Sequence, residues 1–487
     1  MLQFFHRMHE YFVLTIFLSE CKINMKEKYN SGGFVSPFRS ISHIGDPVAL
    51  YDAATEKYYI YCTGGRFQCW SSPDLIEFTA HGDAYGTTER SFGTQNYWAP
   101  EVYKRGDVFY MVYSAARILE NGKKRHSIGI ASSRCPTGPF IDLYDHPLFA
   151  PDCSVIDASL LFDEDGEIYL FYSRDCSENV VDGKRTSQVF GVRVAPDFSG
   201  VLGTPVLLAT PTSPWEVRSG DVVWNEGPCV LRQDGRYVLL FTANYYASVH
   251  YCVGYAVSDF PLGPYEKAAE NPILKGDGVY TSGTGHCNYL RSPDGSELYM
   301  VYHSHSDVTN TTNPVADRTP CFDKMVFRRD GRLTVNGPTV ARQPYPSGTR
   351  GYCKLTGRDV SVASSYPSTD SLRRLTDGIV DHRGDAADVY RFDCAVQGEI
   401  TLAFARPTAL ESLWIYGAAD GSRDPAEVRA DADGQIRTAD FAHELPRSPA
   451  VLCFDGSKVL RVALTFTPRD GATDAALSEI VIVEKRK

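Results

Sequence analysis

Five times along the chain a short polar turn gives way to a run of aromatic and aliphatic residues that ends in small or polar side chains. The runs are EKYYIYCTGG from Glu56, GDVFYMVYSAA from Gly106, DGEIYLFYSRD from Asp165, DGRYVLLFTAN from Asp234 and DGSELYMVYHSH from Asp294. Apolar stretches this short, rich in Tyr, Phe, Val and Ile and bounded by turn residues, predict buried strands rather than helices. Their starts lie roughly 50 to 70 residues apart, a period at which repetition suggests propeller blades. The polar ends read as buried strands emerging into a hydrated site. A second unit, GIASSRCPTGPF (Gly129 to Phe140) and GYAVSDFPLGPY (Gly254 to Tyr265), joins a strand of small residues to a Pro-x-Gly-Pro-aromatic turn and occurs twice. Several-stranded units repeated in this way fit a ring, which leaves only short, protected edges. A two-sheet sandwich would not explain the long, even period, and no amphipathic helix of three clear turns stands out.

The pattern ends near the NGPT run, Asn336 to Thr339, and the Pro/Gly-rich RQPYPSGTRGY, Arg342 to Tyr352, reads as a linker. From about Cys353 there is more Ala, Arg and Asp and less Tyr, with short alternating strands such as EITLAFA (Glu399 to Ala405) and SLWIYGA (Ser412 to Ala418). This predicts a separate β-sandwich of roughly 130 residues. The expected fold is therefore all-β: a five-bladed β-propeller over 36–345, followed by a jelly-roll β-sandwich over 353–487, with 1–35 as a leader or N-terminal extension. In that leader YFVLTIFL, Tyr11 to Leu18, follows Arg7 like a short signal core, but Glu10 and Glu20 flank it and LSEC, Leu18 to Cys21, is a poor lipoprotein cleavage box. Met25 offers an alternative start. The stretch is too short to span a bilayer as a helix. A cytoplasmic placement is favoured over export, and no membrane-spanning segment is expected.

Bulk composition narrows the function. With 487 residues, 43% of them hydrophobic, the chain exceeds what one core usually serves. The 29 Tyr and 25 Phe favour strands, and 40 Gly and 28 Pro punctuate them. A net charge of −11 argues against nucleic-acid or anionic-membrane partners, which require a basic surface. The 13 cysteines include no CxxC pair and no zinc spacing, so buried reduced thiols are expected rather than a disulfide framework.

Three carboxylates stand in unusual settings: Asp46 in HIGDPVALYD, Asp157 in SVIDASLLFDEDG and Glu226 in WNEGPCVLRQDG. Each precedes an apolar strand and then a turn, so all three are expected at equivalent positions of three blades, facing one channel. Singly, each reads more simply as a turn or capping carboxylate; three matching contexts favour a shared site. Glycoside cleavage by inversion needs a carboxylic acid to protonate the departing oxygen and a carboxylate to activate water, about 6.5–9.5 Å apart. A third carboxylate near the acid would raise its pKa by like-charge repulsion. Trp98, in WAPEV, is either a core residue or a sugar-stacking face. His286, in GTGH, either lines the channel near a water or ion or is a satisfied core histidine. His303 and His305 share a strand face but lack a third ligand in sequence, so zinc is not expected.

In order, GDP at Gly45, WSSPDL at Trp70, WAPEV at Trp98, ID with FDEDG at Ile156, EGP at Glu226, GTGH at Gly283 and DGRLTVNGPT at Asp330 resemble glycoside hydrolase family 43 over roughly 36–345. The resemblance implies a five-bladed propeller and an inverting mechanism, with Asp46 as general base, Asp157 as pKa modulator and orienter, and Glu226 as general acid. It also implies His286 as a channel residue near a water or calcium, Arg318 as a substrate contact beside the sugar-stacking candidate Trp98, and an oligo- or polysaccharide substrate. No cofactor is required, although a structural calcium near His286 is compatible with the family. The tail, from LTDGIVD at Leu375 through SLWIYG to ALSEIVIVE at Ala476, resembles a discoidin-type, galactose-binding-like jelly roll, a domain type that often binds sugars. The activity expected is exo-hydrolysis of α-L-arabinofuranosides in plant-type glycans, with β-xylosidase and galactan- or galactofuranose-directed hydrolysis as alternatives. A non-catalytic carbohydrate-binding propeller is disfavoured because all three acids are present. A transglycosidase on a related scaffold would hold nucleophile and acid closer, about 5–5.5 Å apart.

Overall fold

Every second strand of the first unit is apolar on both faces because it is packed on both. In Arg236–Ala243, Leu239 and Phe241 join a cluster with Phe171 and Val189, while Val238 and Leu240 join another with Met300 and Tyr302. Alternate residues of a strand point to opposite faces, so a strand between two neighbours needs an unbroken apolar run. Each such side chain contributes about 1.5–3 kcal/mol on full burial. These are the five aromatic runs of the sequence.

The computed structural model describes residues 32–486 apart from 43, 218–219, 307, 309–317, 381–387, 420, 442–444 and 446. The expected leader segment Tyr11 to Leu18 lies outside the described residues. The described chain is all-β, its helical content limited to short 3-10 turns such as Thr349–Gly351 and Leu372–Leu375. It divides into two compact units, 35–340 and 341–487, the second joined by residues 32–34. No helix among the described residues is long and apolar enough to cross a membrane. The described cysteines are free thiols, most of them buried.

The first unit holds five groups of antiparallel strands. Their first and second strands are Gly45–Asp52 with Lys57–Thr63, Gln95–Arg105 with Val108–Ile118, and Val155–Phe162 with Ile168–Arg174. The fourth and fifth groups open with Val222–Gln233 beside Arg236–Ala243 and Gly285–Arg291 beside Leu298–His305. A short parallel pairing of Arg185 to Ser187 with Val222 to Trp224 joins the third and fourth groups into one sheet. Hydrophobic clusters lie between consecutive groups: Tyr61 with Met111, Val112 with Leu160, Phe171 with Leu239, and Leu240 with Met300. Each first strand also lies against the first strand of the next group, and that of the fifth group against that of the first.

In the second unit, the long strand Ile400–Gly417 pairs along its first half with Val360–Ser364 and Lys458–Thr467. After a register break between Ala403 and Thr408 it pairs with Ala450–Cys453 and Asp474–Lys485. Leu402, Leu413, Ile415, Val428, Leu464 and Ile480 form its main core, and Trp414 is fully buried in a smaller cluster. The stretch read as a linker is built into this unit instead. Arg342–Pro344 pairs with Gly33–Val35, Tyr352–Lys354 pairs with Asp474–Lys485, and Tyr345, Ser347 and Thr349 are buried between them. Its Pro and Gly residues shape turns, as at Gly348 with φ 92°, rather than a free connection.

Candidate active site

Near its start each first strand carries a bulge with one residue in the left-handed region: Asp46 (φ 51°), Ala99 (48°), Asp157 (57°), Gly227 (57°) and His286 (49°). For a residue with a Cβ this conformation costs about 1–2 kcal/mol and persists only where its surroundings enforce it. A cycle of hydrogen bonds does so. The Ala99 N–H donates to Thr63 Oγ1 (2.7 Å), Asp157 N–H to Ser114 Oγ (3.0 Å), Gly227 N–H to Ser173 Oγ (3.1 Å) and His286 N–H to Thr242 Oγ1 (3.0 Å). The Asp46 N–H then donates to His303 Nδ1 (3.2 Å), returning to the first group. All five acceptors hold one register position, opposite Trp98 for Ser114, Ile156 for Ser173, Glu226 for Thr242, Gly45 for Thr63 and Gly285 for His303. They are the first polar residues after the five aromatic runs, a signal present in the sequence whose meaning only the pairing reveals.

Register also corrects the expected equivalence of the three acids. Asp46 and Asp157 do occupy the left-handed position, but in the fourth group Gly227 holds it and Glu226 stands one residue earlier, level with Trp98. The bulge changes side-chain direction at that point, so a shift of one residue changes where a carboxyl is presented. A Cβ on Gly227 would lie 3.2 Å from His286 Nδ1, at a positive φ, which explains the glycine.

Asp46 is held as a carboxylate. Its Oδ1 accepts from Arg318 Nη1 at 2.9 Å and its Oδ2 from the Thr63 hydroxyl at 2.7 Å, while His286 Nδ1 and His303 Nδ1 lie 3.5 and 3.7 Å from Oδ1. Burial alone would push its pKa up; Arg318, then His286 and the Thr63 hydroxyl, outweigh it and hold the carboxyl well below the usual carboxylate range. Arg318 is itself buried and lies over the Tyr246 ring, 5.0 Å from its centroid.

Glu226 has the opposite character. It is buried and its Oε1 accepts a hydrogen bond from the Tyr251 hydroxyl at 3.0 Å. Burial, reinforced by the neighbouring Asp157 charge, pushes its pKa well above the usual range. Asp157 is also raised, chiefly by burial. Its Oδ2 accepts the Ser173 hydroxyl (3.3 Å) and the Gly227 N–H (3.2 Å), so it grips the peptide that follows Glu226. One acidic group kept ionised and another kept protonated is the division of labour that acid–base catalysis requires.

The remaining expected residues fall as follows. The structure brings His286 and Arg318 together at Asp46, with His286 Nδ1 and Arg318 Nη1 both facing its Oδ1. Trp98 is 37% exposed, which removes the core reading; its ring stacks on that of His126 at 4.1 Å. His303, considered in sequence only as a metal ligand, is the fully buried acceptor for the Asp46 amide. Thr63, Ser114, Ser173, Thr242 and Tyr251 were not singled out by sequence. A calcium near His286 would find a poor donor set, because Arg318 occupies the nearest carboxylate oxygen and both histidines offer nitrogen, whereas calcium takes about six to eight oxygens. Among the described residues no group of three or more His, Cys, Asp or Glu could hold a metal. These residues do not fit a calcium cage.

A family model described as glycosyl hydrolases family 43 matches residues 39–333, and the chain belongs to that family: it is a glycosidase and acts on carbohydrate. It is 29% identical over 310 residues to a β-D-galactofuranosidase of Aspergillus niger, covering 59% of this chain and 81% of that protein. It is 23% identical over 299 residues to an arabinoxylan arabinofuranohydrolase of Paenibacillus polymyxa, covering 55% of this chain and 43% of that one. The solved structure of a thermostable family-43 glycoside hydrolase is 40% identical, with a TM-score of 0.60, covering 65% of this chain and 99% of that one.

Proposed function

We propose that the chain is an inverting exo-glycosidase that removes α-L-arabinofuranose from plant-type glycans, with Asp46 as general base, Glu226 as general acid and Asp157 as pKa modulator and orienter. The observation that carries this reading is the contrast between two carboxyls: Asp46 accepts hydrogen bonds from Arg318 Nη1 (2.9 Å) and the Thr63 hydroxyl (2.7 Å), which favour its ionised form, whereas Glu226 is buried beside Asp157, which favours its protonated form. Glu226 gives its proton to the glycosidic oxygen as the bond to the anomeric carbon breaks. Asp46 takes a proton from the water whose oxygen bonds to that carbon from the opposite face, so the freed sugar has inverted configuration. Glu226 is left ionised and Asp46 protonated, and exchange with solvent resets both. Trp98 offers its exposed face to the sugar, and Arg318 and His286 form the floor around the base.

Reading the five strand groups as the blades of a closed propeller is supported by the hydrogen-bond cycle, which passes from each group to the next and returns through His303 and Asp46. Reading the second unit as a discoidin-like jelly-roll sandwich is supported by its motifs. SLWIYG falls in Ile400–Gly417 and ALSEIVIVE in Asp474–Lys485, two long strands paired around one core.

The sugar rests on the relatives. The Paenibacillus protein is named for arabinofuranose and the Aspergillus one for galactofuranose. The second name supports β-D-galactofuranoside hydrolysis as a second reading, since the two sugars share ring configuration and differ in the exocyclic group. Assaying aryl α-L-arabinofuranoside, β-D-galactofuranoside, β-D-xyloside and β-D-galactopyranoside separates these readings. Turnover of the arabinofuranoside ahead of the other three supports the main one. Turnover of pyranosides alone, or activity that survives in Asp46→Asn, overturns it.

A further inference from the structure

We propose that Trp224 and Tyr245 form the subsite that holds a sugar ring on the leaving-group side of the scissile bond, an assignment that rests on Glu226 being the general acid. Trp224 lies two residues before Glu226 in Val222–Gln233, ahead of the bulge that follows Glu226, so both side chains leave the same face of the strand. Two residues of strand span about 6.6–6.8 Å, roughly the distance from a glycosidic oxygen to the far side of the ring it leaves with. An acid within hydrogen-bond reach of that oxygen therefore places the departing ring beside Trp224.

The neighbouring strand completes the surface. Asn225 pairs with Ala243, so Trp224 lies level with the chain as it leaves the second strand through Asn244 into Tyr245. The Trp224 and Tyr245 rings are 5.3 Å apart and inclined at 33°, and Tyr245 packs on Tyr246 at 4.7 Å. Tyr245 is 41% exposed and Trp224 half-buried, an open aromatic surface that water covers poorly and the C–H face of a sugar covers well. Tyr246 lies under Arg318, the residue that holds Asp46. A continuous line of aromatic faces thus runs from the base side of the site to the acid side.

Its backbone is braced. Asn225 Nδ2 donates to the Trp224 carbonyl (3.0 Å) and to Glu216 Oε1 (3.2 Å), and Lys267 Nζ contacts Glu216 Oε1 (2.5 Å) and Asn225 Oδ1 (3.1 Å). This buried network sets the strand that carries both Trp224 and Glu226. A surface fixed beforehand loses little freedom when a ring stacks on it.

The test is a ratio of kcat/KM values measured on the full chain: α-1,5-linked arabinotriose over methyl α-L-arabinofuranoside. Both need protonation of an alkoxide leaving group, but only the trisaccharide places a ring on Trp224. Trp224→Ala is expected to lower the ratio about tenfold, the rate equivalent of about 1.4 kcal/mol, Tyr245→Ala to lower it less, and Trp224→Phe to restore most of it. Because the ratio is internal, partial unfolding of a variant cancels. An unchanged ratio in Trp224→Ala, with both rates falling together, would overturn the subsite and leave Trp224 as a prop for Glu226. If wild type prefers another glycone, the same pair is made with that sugar; failure of the arabinofuranose reading is thereby separated from failure of the subsite.

Discussion

Replacing His303 with leucine removes one hydrogen-bond acceptor from the centre of the site and little else. The side chain is fully buried, its ring stacked against Tyr251 at 5.5 Å, and its Nδ1 accepts the Asp46 amide at 3.2 Å. Leucine fills a similar volume but leaves that amide unpaired, at a cost of about 1–3 kcal/mol for a buried donor. Asp46 also loses the anchor that holds it at positive φ, a conformation that otherwise costs about 1–2 kcal/mol. The expected result is a fall of about 1–3 kcal/mol in unfolding free energy by urea titration. A fall of about 10- to 100-fold in kcat should accompany it as the carboxylate drifts from its position. His303→Asn, whose Oδ1 can sit near the place of Nδ1, should recover most of both. The pH dependence adds a sign. Burial first, then Arg318, pushes the His303 pKa well down, against an opposing pull from Asp46, with His286, His305 and Tyr251 also facing the ring. A histidine lowered on folding stabilises the protein above its unfolded pKa, about 6.5, and that stability is lost as pH falls from there toward the folded value. His303→Leu should therefore show a shallower loss of stability below that pH. His126, pushed down to about 4 by burial, supplies a slope of the same sign that persists in the variant. Wild-type stability and kcat in His303→Leu, or His303→Asn as impaired as leucine, would refute the reasoning.

Asp157→Asn removes the charge that helps keep Glu226 protonated, so the alkaline limb of the pH–rate profile should move to lower pH; a limb that moves up would contradict the assigned interaction. Gly227→Ala introduces a Cβ at φ 57° against His286 and should cost about 1–2 kcal/mol in stability by urea titration, together with a loss of kcat, because Glu226 is its neighbour.

The aromatic runs were legible because a strand packed on both faces must be apolar throughout, and nothing distant alters that rule. Asp46 and Asp157 were legible as carboxylates set in apolar contexts. The offset of Glu226 was not, because a left-handed bulge is a backbone event, though the prolines after Asp46, Ala99 and Gly227 mark three of those bulges. The pairing of Asp46 with Arg318, 272 residues apart, follows from the arrangement of the groups and leaves no local pattern. Arg342 to Tyr352 misled because Pro and Gly signal turns equally well in linkers and in buried, hydrogen-bonded corners such as the one at Ser347 and Thr349. His303 was read by residue type, as a metal ligand, whereas its position after an aromatic run placed it with Thr63, Ser114, Ser173 and Thr242.

The division of roles between Glu226 and Asp46 is tested most directly by the leaving-group dependence of kcat/KM, an arabinofuranosyl oligosaccharide against the dinitrophenyl arabinofuranoside. Removing a general acid or base typically costs about 10²–10⁴-fold. Glu226→Gln should suffer such a loss on the oligosaccharide and far less on the dinitrophenyl substrate, whose leaving group departs as its anion. Asp46→Asn should lose both activities alike, since water activation is needed whatever departs. Equal losses in Glu226→Gln, with leaving-group dependence appearing in Asp46→Asn instead, would contradict this division of roles.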